Sequence, residues 1–287
     1  MKKKLIYIAG GIATVVALIT LALPSILKGA GLHPEYIGPV HEAPGKRALI
    51  ITTSHGVLAP VGETEGPATG VWASEMTHPY YVFLEAGMSV DVASIKGGEI
   101  PIDPQSFYRP IISAEDKRFL EDPTFQAKVK NSIPIKQVDI SQYDTIFLAG
   151  GWGAAYDMAQ SDVLAEMVSA AWHADKSPII GAVCHGLLGL VRATDQEGNL
   201  LVADRRMTGV TDKQLRELGI EVTPMHPEAE LRKAGAHFEA RTGFRDIFQT
   251  HVVIDDEERF VTGQNQNSGL EAAHRIVSLL TNKGSSL

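Results

Sequence analysis

The chain has 287 residues, of which 44% are apolar and 21% charged, with a formal net charge of -8 and one cysteine. That length suits one large α/β domain plus a short extra segment. The acidic balance leaves no basic footprint for nucleic acid, and a lone cysteine closes no internal disulfide.

Met1-Lys2-Lys3-Lys4 leads into a charge-free run from Leu5 to Leu27 that Lys28 ends. The run is long enough for a bilayer span of about 20 residues. A secretory signal would carry a shorter apolar stretch and a small-x-small cleavage site; Ala30 has Lys28 two before it and Ala22 has Thr20. Residues 1–28 therefore read as an uncleaved membrane anchor. Its lysines stay on the cytoplasmic side, so the domain lies outside the cytoplasm, in the cell envelope. Secretion after signal cleavage is the alternative. Residues 29–45, rich in Gly, Pro and His, read as a linker, and 46–287 as the α/β domain.

Arg47 to Thr53 predicts a buried first strand, followed by a Gly/Pro-rich loop from Ser54 to Gly70. Val71 to Ala86 has helical spacing, with Trp72, Met76, Tyr80, Phe83 and Leu84 as core positions. Gly87 caps it, and Ser89 to Ser94 is the second strand. After a turn region from Gly97 to Ser106, Lys117 to Lys130 reads as a helix interrupted by Pro123. Asp144 to Ala149 is a third strand and ends in Gly150-Gly151-Trp152-Gly153. Asp162 to Ala174 is a helix with Asp162 near its N-cap. Ile179 to Val183 is the fourth strand. Helices at Thr211 to Leu218 and Glu230 to Ala234, strands at Thr250 to Asp255 and Arg259 to Thr262, and a terminal helix at Ser268 to Leu280 complete the chain. Alternating strands and helices imply a parallel sheet wound on both faces, with ligands beyond the carboxyl ends of its strands.

One stretch organises the rest: Ile-Ile-Gly-Ala-Val-Cys-His-Gly-Leu-Leu-Gly-Leu, Ile179 to Leu190. A strand that turns at once into a helix pushes Cys184 out over the sheet edge, the geometry of a nucleophile elbow. A helix N-terminus there favours thiolate over thiol. The plainer alternative is a small apolar residue packed at a strand end.

Further motifs lie in order along the domain. They are Thr69-Gly70-Val71-Trp72-Ala73-Ser74-Glu75 with His78-Pro79, Ala86-Gly87, Val90 to Ser94, Pro101-Ile102-Asp103, and Ala149 to Gly153. Ala182 to Gly186, Thr208-Gly209-Val210-Thr211-Asp212, and Val261 to Asn265 follow. Together these resemble the ThiJ/PfpI superfamily, related to class I glutamine amidotransferases, and within it the chaperone and glyoxalase III branch. The resemblance runs from about Lys46 to Leu280. It implies a flavodoxin-like doubly wound sandwich and conversion of methylglyoxal to lactate without glutathione, cofactor or metal.

On that resemblance Cys184 is the nucleophile, Glu75 the carboxyl facing the thiol, and His185 the adjoining catalytic histidine. Cys184 adds to the aldehyde of a 2-oxoaldehyde, and Glu75 moves a proton between the two substrate carbons. Without it, Glu75 reads equally as a solvated helix carboxylate and His185 as a ring held by turn hydrogen bonds. The backbone N–H groups of Gly151 and His185 form the expected oxyanion hole, although a short glycine run also suits a plain tight turn. The branch's histidine-orienting acid falls on Leu215 when counted from Thr208 without a gap. Asp212 and Glu217 are the nearby acids, and Asp212 is the candidate orienting residue. Trp152 stands where the branch commonly has histidine and belongs to the substrate pocket. No metal-ligand spacing is present.

The expected partners are a small reactive carbonyl, the membrane through the N-terminal helix, and a second copy in a homodimer. Two alternatives use the same thiol: a stress-protective chaperone with Cys184 as a redox sensor, and a cysteine amidase or peptidase.

Overall fold

The computed structural model describes residues 2–284 except residue 221. Met1 of the expected anchor and the expected domain end at Leu287 lie outside the described residues. The elements in chain order begin with α1 (Lys2–Ala30), β1 (Arg47–Thr52), α2 (Ala73–Glu85) and β2 (Ser89–Ser94). Next come α3 (Ala114–Glu121), α4 (Pro123–Lys130), β3 (Ile133–Pro134), β4 (Thr145–Leu148), α5 (Asp162–His173) and β5 (Ile179–Val183). The last part holds β6 (Arg206–Met207), α6 (Asp212–Leu218), α7 (Pro227–Lys233), β7 (His237–Phe238), β8 (Val252–Ile254), β9 (Phe260–Gly263) and α8 (Gly269–Gly284).

Seven strands form one sheet in the order β3-β2-β1-β4-β5-β9-β8, and β6 pairs with β7 in a separate ribbon. The sheet is not wholly parallel: β8 runs antiparallel to β9, with Val253 opposite Thr262. Successive strand residues point to opposite faces, and the core divides accordingly. Ile50, Phe147 and Val183 pack with Met76 and Phe83 of α2 and Ile276 of α8. Leu49, Ile51, Ile146 and Leu148 pack with Leu164 and Val168 of α5 on the other face. A strand buried on both sides reads as an unbroken apolar run, which is why Arg47 to Thr53 and Ile179 to Val183 were legible.

Two details refine the sequence reading and a third, at Leu84, departs from it. The interruption at Pro123 is a full break that starts a new helix: the Asp122 carboxylate accepts from the N–H groups of Thr124 and Phe125, and proline suits the first helical position. The N-cap of α5 is Ser161, whose hydroxyl accepts from Leu164 N–H, so Asp162 lies one residue inside. Leu84 is 41% exposed; α2 turns its other apolar residues inward and leaves this one on the outer face.

The backbone of α1 is continuous through Pro24. The hydroxyls of Thr14 and Thr20 donate to the carbonyls of Gly10 and Val16 one turn back, so neither needs water. Ile12, Val15, Leu18, Ile19 and Leu21 are bare on its surface. The helix runs two residues past Lys28, and the stretch expected as a linker is docked. Leu32 and Ala43 are buried. His33 N–H donates to Asn267 Oδ1 at 2.8 Å, Ala43 N–H donates to Ala86 O at 2.7 Å, and Tyr36 stacks on His274 at 4.0 Å.

Candidate active site

The carboxyl ends of β4 and β5 and the first turn of α2 converge on one point. Cys184 follows β5 directly and holds φ at +56°, in the left-handed region that costs a non-glycine residue about 1–2 kcal/mol. That strain is the signature of an elbow held in place by its surroundings. The six residues Cys184–Gly189 then form a 3-10 helix instead of the expected α-helix. Its three-residue repeat sends Leu187 and Leu190 into the core face under α5, while Leu188 packs with Ala155 and Ala159.

Cys184 is 6% exposed and Glu75 1%. Burial raises the Glu75 carboxyl to about 8, against the opposing hydrogen bonds from Cys184 and Gly150. Burial also pushes the Cys184 thiol up, and the neighbouring Glu75 adds to it. The helix-terminus effect expected to favour thiolate is thus outweighed by desolvation. Both shifts disfavour the charged forms, so the two groups hold at most one negative charge between them. The backbone N–H groups of His185 and Gly151 both donate to the Cys184 sulfur, so two donors converge where charge gathers on the reacting group.

Glycine at 150 and 151 is required for this arrangement. A Cβ on Gly150 would lie 2.6 Å from Glu75 Oε2 and 2.7 Å from the backbone nitrogens of His185 and Gly186. Gly151 holds φ at +97°, and a Cβ there would lie 2.4 Å from the Gly70 carbonyl oxygen and the Trp72 backbone nitrogen. The loop is therefore part of the cradle around Glu75 and not only a turn.

His185 is fully buried. Its Nδ1 lies 3.5 Å from Cys184 Sγ, and its Nε2 has no hydrogen-bond partner. Burial and the nearby His226 drop it to about 3, so the ring is neutral and, with its proton on Nδ1, donates to the sulfur. The Trp152 indole meets the same ring edge-on, with centroids 5.0 Å apart.

Asp212 does not orient His185. It opens α6, its backbone N–H donates to Glu228 Oε2, and its own Oδ1 is buried without a partner. Glu217 is committed elsewhere, accepting from Asp246 N–H and pairing with Lys213. Leu215 is buried in the core cluster that contains Cys184 and Trp152.

Glu75, Gly151, Trp152, Cys184 and His185 line one cavity of about 410 Å³. Ile111, Ile220 and Phe248 form apolar walls, and Leu23, Leu27 and Leu32 line it as well. None of these six was singled out by the sequence. They come from loops and from α1, distant in the chain, with no motif to tie them to Cys184.

The profile of the DJ-1/PfpI family matches residues 68–279. Among curated relatives, Glyoxalase 3 of Candida albicans is 28% identical over 225 residues, covering 75% of this chain and 91% of that protein. A glutathione-independent glyoxalase of Saccharomyces cerevisiae is 26% identical over 248 residues, covering 84% of this chain and 100% of its own length. Among solved structures, the 24 kDa rapid encystment protein of Francisella tularensis superposes with a TM-score of 0.74 at 33% identity, covering 82% of this chain and 99% of that one. The match spans the elbow, the Glu75 helix and the glycine loop alike, and the chain belongs to the DJ-1/PfpI family.

Proposed function

We propose that this protein is a glutathione-independent glyoxalase that converts a 2-oxoaldehyde to the corresponding 2-hydroxy acid. The observation that carries the reading is the buried Glu75–Cys184 pair, with both groups raised by burial and two backbone donors at the sulfur. Relatives named as glyoxalases that align over nearly their whole length support it.

The pair supplies each proton the reaction needs. With the charge on sulfur and the proton on Glu75, Sγ forms a bond to the aldehyde carbon and the new alkoxide takes the Glu75 proton. Glu75, now a carboxylate, removes the hydrogen on that carbon to give an enediolate, and returns it to the neighbouring carbon. The hydroxyl proton on the first carbon passes to the second oxygen, leaving a 2-hydroxy thioester. Water, deprotonated by Glu75, attacks the thioester. The C–S bond breaks, and the acid leaves with the proton back on Glu75 and the charge back on sulfur. The substrate's aldehyde carbon is oxidised and its keto carbon reduced, so no external redox partner is needed. The N–H groups of Gly151 and His185 hold the charged oxygen at each addition step. Neutral His185 donates to the sulfur and does not act as a cationic partner.

We further propose that α1 spans a membrane, with Lys2, Lys3 and Lys4 on the cytoplasmic side and the domain outside. Gly10–Ala30 has a mean hydropathy of 2.1 and none of it is buried, and the positive flank sets the orientation. A protease that cannot cross membranes is expected to digest the domain in intact cells; protection until lysis would reverse the orientation.

The first test is lactate formation from methylglyoxal by the full chain in detergent, without glutathione, beside Cys184→Ala. Lactate that depends on Cys184 supports the reading. Its absence, with Cys184 still alkylated by iodoacetamide and longer 2-oxoaldehydes also left unchanged, refutes it.

A further inference from the structure

The C-terminal part of α1 forms one wall of the cavity that holds Cys184. Along the described side chains of α1 up to Ala30, only Leu23 and Leu27 are half-buried, and the rest are exposed. These two are four residues apart, hence on one face of the helix, and both line the cavity that holds Cys184 and Glu75. Leu32, just past the helix end, lines it as well.

The junction is fastened. Leu32 N–H donates to Leu27 O, and a Cβ on Gly31 would lie 2.4 Å from Phe248 O, itself on a cavity-wall residue. His33 is tied to both Asn267 and Ile111. The thiol and the end of the apolar helix are therefore held together as one unit.

The cavity is also too large and too apolar for a three-carbon substrate. At about 30 Å³ for a water-sized group, it takes on the order of a dozen such groups, more than twice what methylglyoxal would occupy. Leucine, isoleucine and phenylalanine side chains make up much of the lining away from Cys184, interrupted by the amides of Gln105, Gln214 and Gln266.

We propose that the preferred substrates are 2-oxoaldehydes bearing an alkyl chain, which enter from the membrane surface and lay the chain between Leu23, Leu27, Leu32 and Phe248. The proposal rests on the glyoxalase reading and names its substrate class. The chemistry is unchanged: water adds overall, the aldehyde carbon ends as carboxyl, and the keto carbon ends as carbinol. A straight-chain eight-carbon 2-oxoaldehyde places its carbonyls at Cys184 and its tail along α1.

The test uses the full chain in phosphatidylcholine vesicles, with kcat/KM measured for methylglyoxal and for the eight-carbon 2-oxoaldehyde. Burying a methylene is worth roughly fourfold in binding, so a five-carbon extension that is even partly buried gives at least about a tenfold preference for the long substrate. Leu27→Asn is expected to cut that preference at least about fivefold, and Leu27→Met to restore it. Both variants are checked for equal retention in the vesicles, and partitioning of the aldehyde into lipid is common to all three proteins. Methylglyoxal turned over as well as the long substrate overturns the proposal and leaves the glyoxalase reading standing. A preference that Leu27→Asn leaves unchanged, or a rise in methylglyoxal turnover that marks the leucines as a plug, also overturns it. Turnover of neither aldehyde removes both readings.

Discussion

Cys184 Sγ lies 3.5 Å from His185 Nδ1, and no carboxylate among the described residues bonds the other ring nitrogen. The pair therefore lacks the third member that in a catalytic triad holds the imidazole and steadies its charged form. With His185 lowered to about 3 and Glu75 raised to about 8, the ionisation that governs rate belongs to the Glu75–Cys184 pair. The working form has lost one of the pair's two protons. As pH falls through about 8 both protons return, so kcat/KM should fall with a slope of one and show no inflection near the ordinary histidine range. A profile of kcat/KM from pH 5 to 10 checks this; an acidic limb near the usual carboxylate value would contradict it.

Glu75→Gln keeps the shape and a donor but cannot take or return a proton. We expect turnover to fall by at least about a hundredfold, as for loss of a general acid–base, while iodoacetamide still labels Cys184. The raised carboxyl also has a stability signature. Its proton is bound more tightly in the fold than in the unfolded chain, so its contribution is full below the ordinary value of 4.5 and is lost as pH rises through about 8. Thermal unfolding of Glu75→Gln should show a smaller decline over that window.

The positive φ of Cys184 makes its own prediction. Glycine accepts that conformation without the Cβ clash, so Cys184→Gly should be more stable than Cys184→Ala by about 1 kcal/mol, roughly 2–4 °C in Tm for a domain of this size. Both variants should be inactive. Equal melting temperatures would mean that the elbow stores no strain.

Gly150→Ala places a methyl group against the Glu75 carboxyl and two backbone nitrogens. Backbone cannot move aside cheaply, so we expect a loss of about 1–3 kcal/mol of stability from overpacking. Lactate formation should drop at least about tenfold because the Glu75–Cys184 contact is displaced. A variant with unchanged rate would show that the Glu75 position is not critical.

His33 ties the segment after α1 to the domain. Burial and the nearby His78 lower it from 6.5, and its Nδ1 is buried with no partner. The docked state therefore prefers the neutral ring. Its stabilisation is full above about pH 6.5 and declines as pH falls below that value. Hydrogen exchange of residues 31–43 should quicken at pH 5 relative to pH 7.5, and much less so in His33→Gln. The facing groups His78, Glu115 and Asp116 are unchanged by that substitution.

The sheet and elbow were legible because local signals agree with the fold there. Apolar runs buried on both faces mark the strands, with Gly150-Gly151 just past β4 and Cys184 directly after β5. The 3-10 turn after Cys184 was not legible, since Leu187, Leu188 and Leu190 satisfy a helical pattern equally well. Nor was the short β6–β7 ribbon, whose two-residue strands carry no periodicity. The misjudged acid at Asp212 came from sequence proximity to a motif, whereas side-chain reach is set by α6 packing on Glu228. The part of the site made by Leu23, Leu27 and Phe248 exists only through tertiary docking.

The two margins of the sheet bear on self-association. One ends in β3, only two residues long, and its Pro134 has no N–H to offer. The other ends in the three-residue β8. Short edges and proline deny a neighbouring chain a template for strand addition. Crowded side by side, copies of this protein are shielded from fusing into a continuous sheet, and a stable pair has to be built from helices or loops.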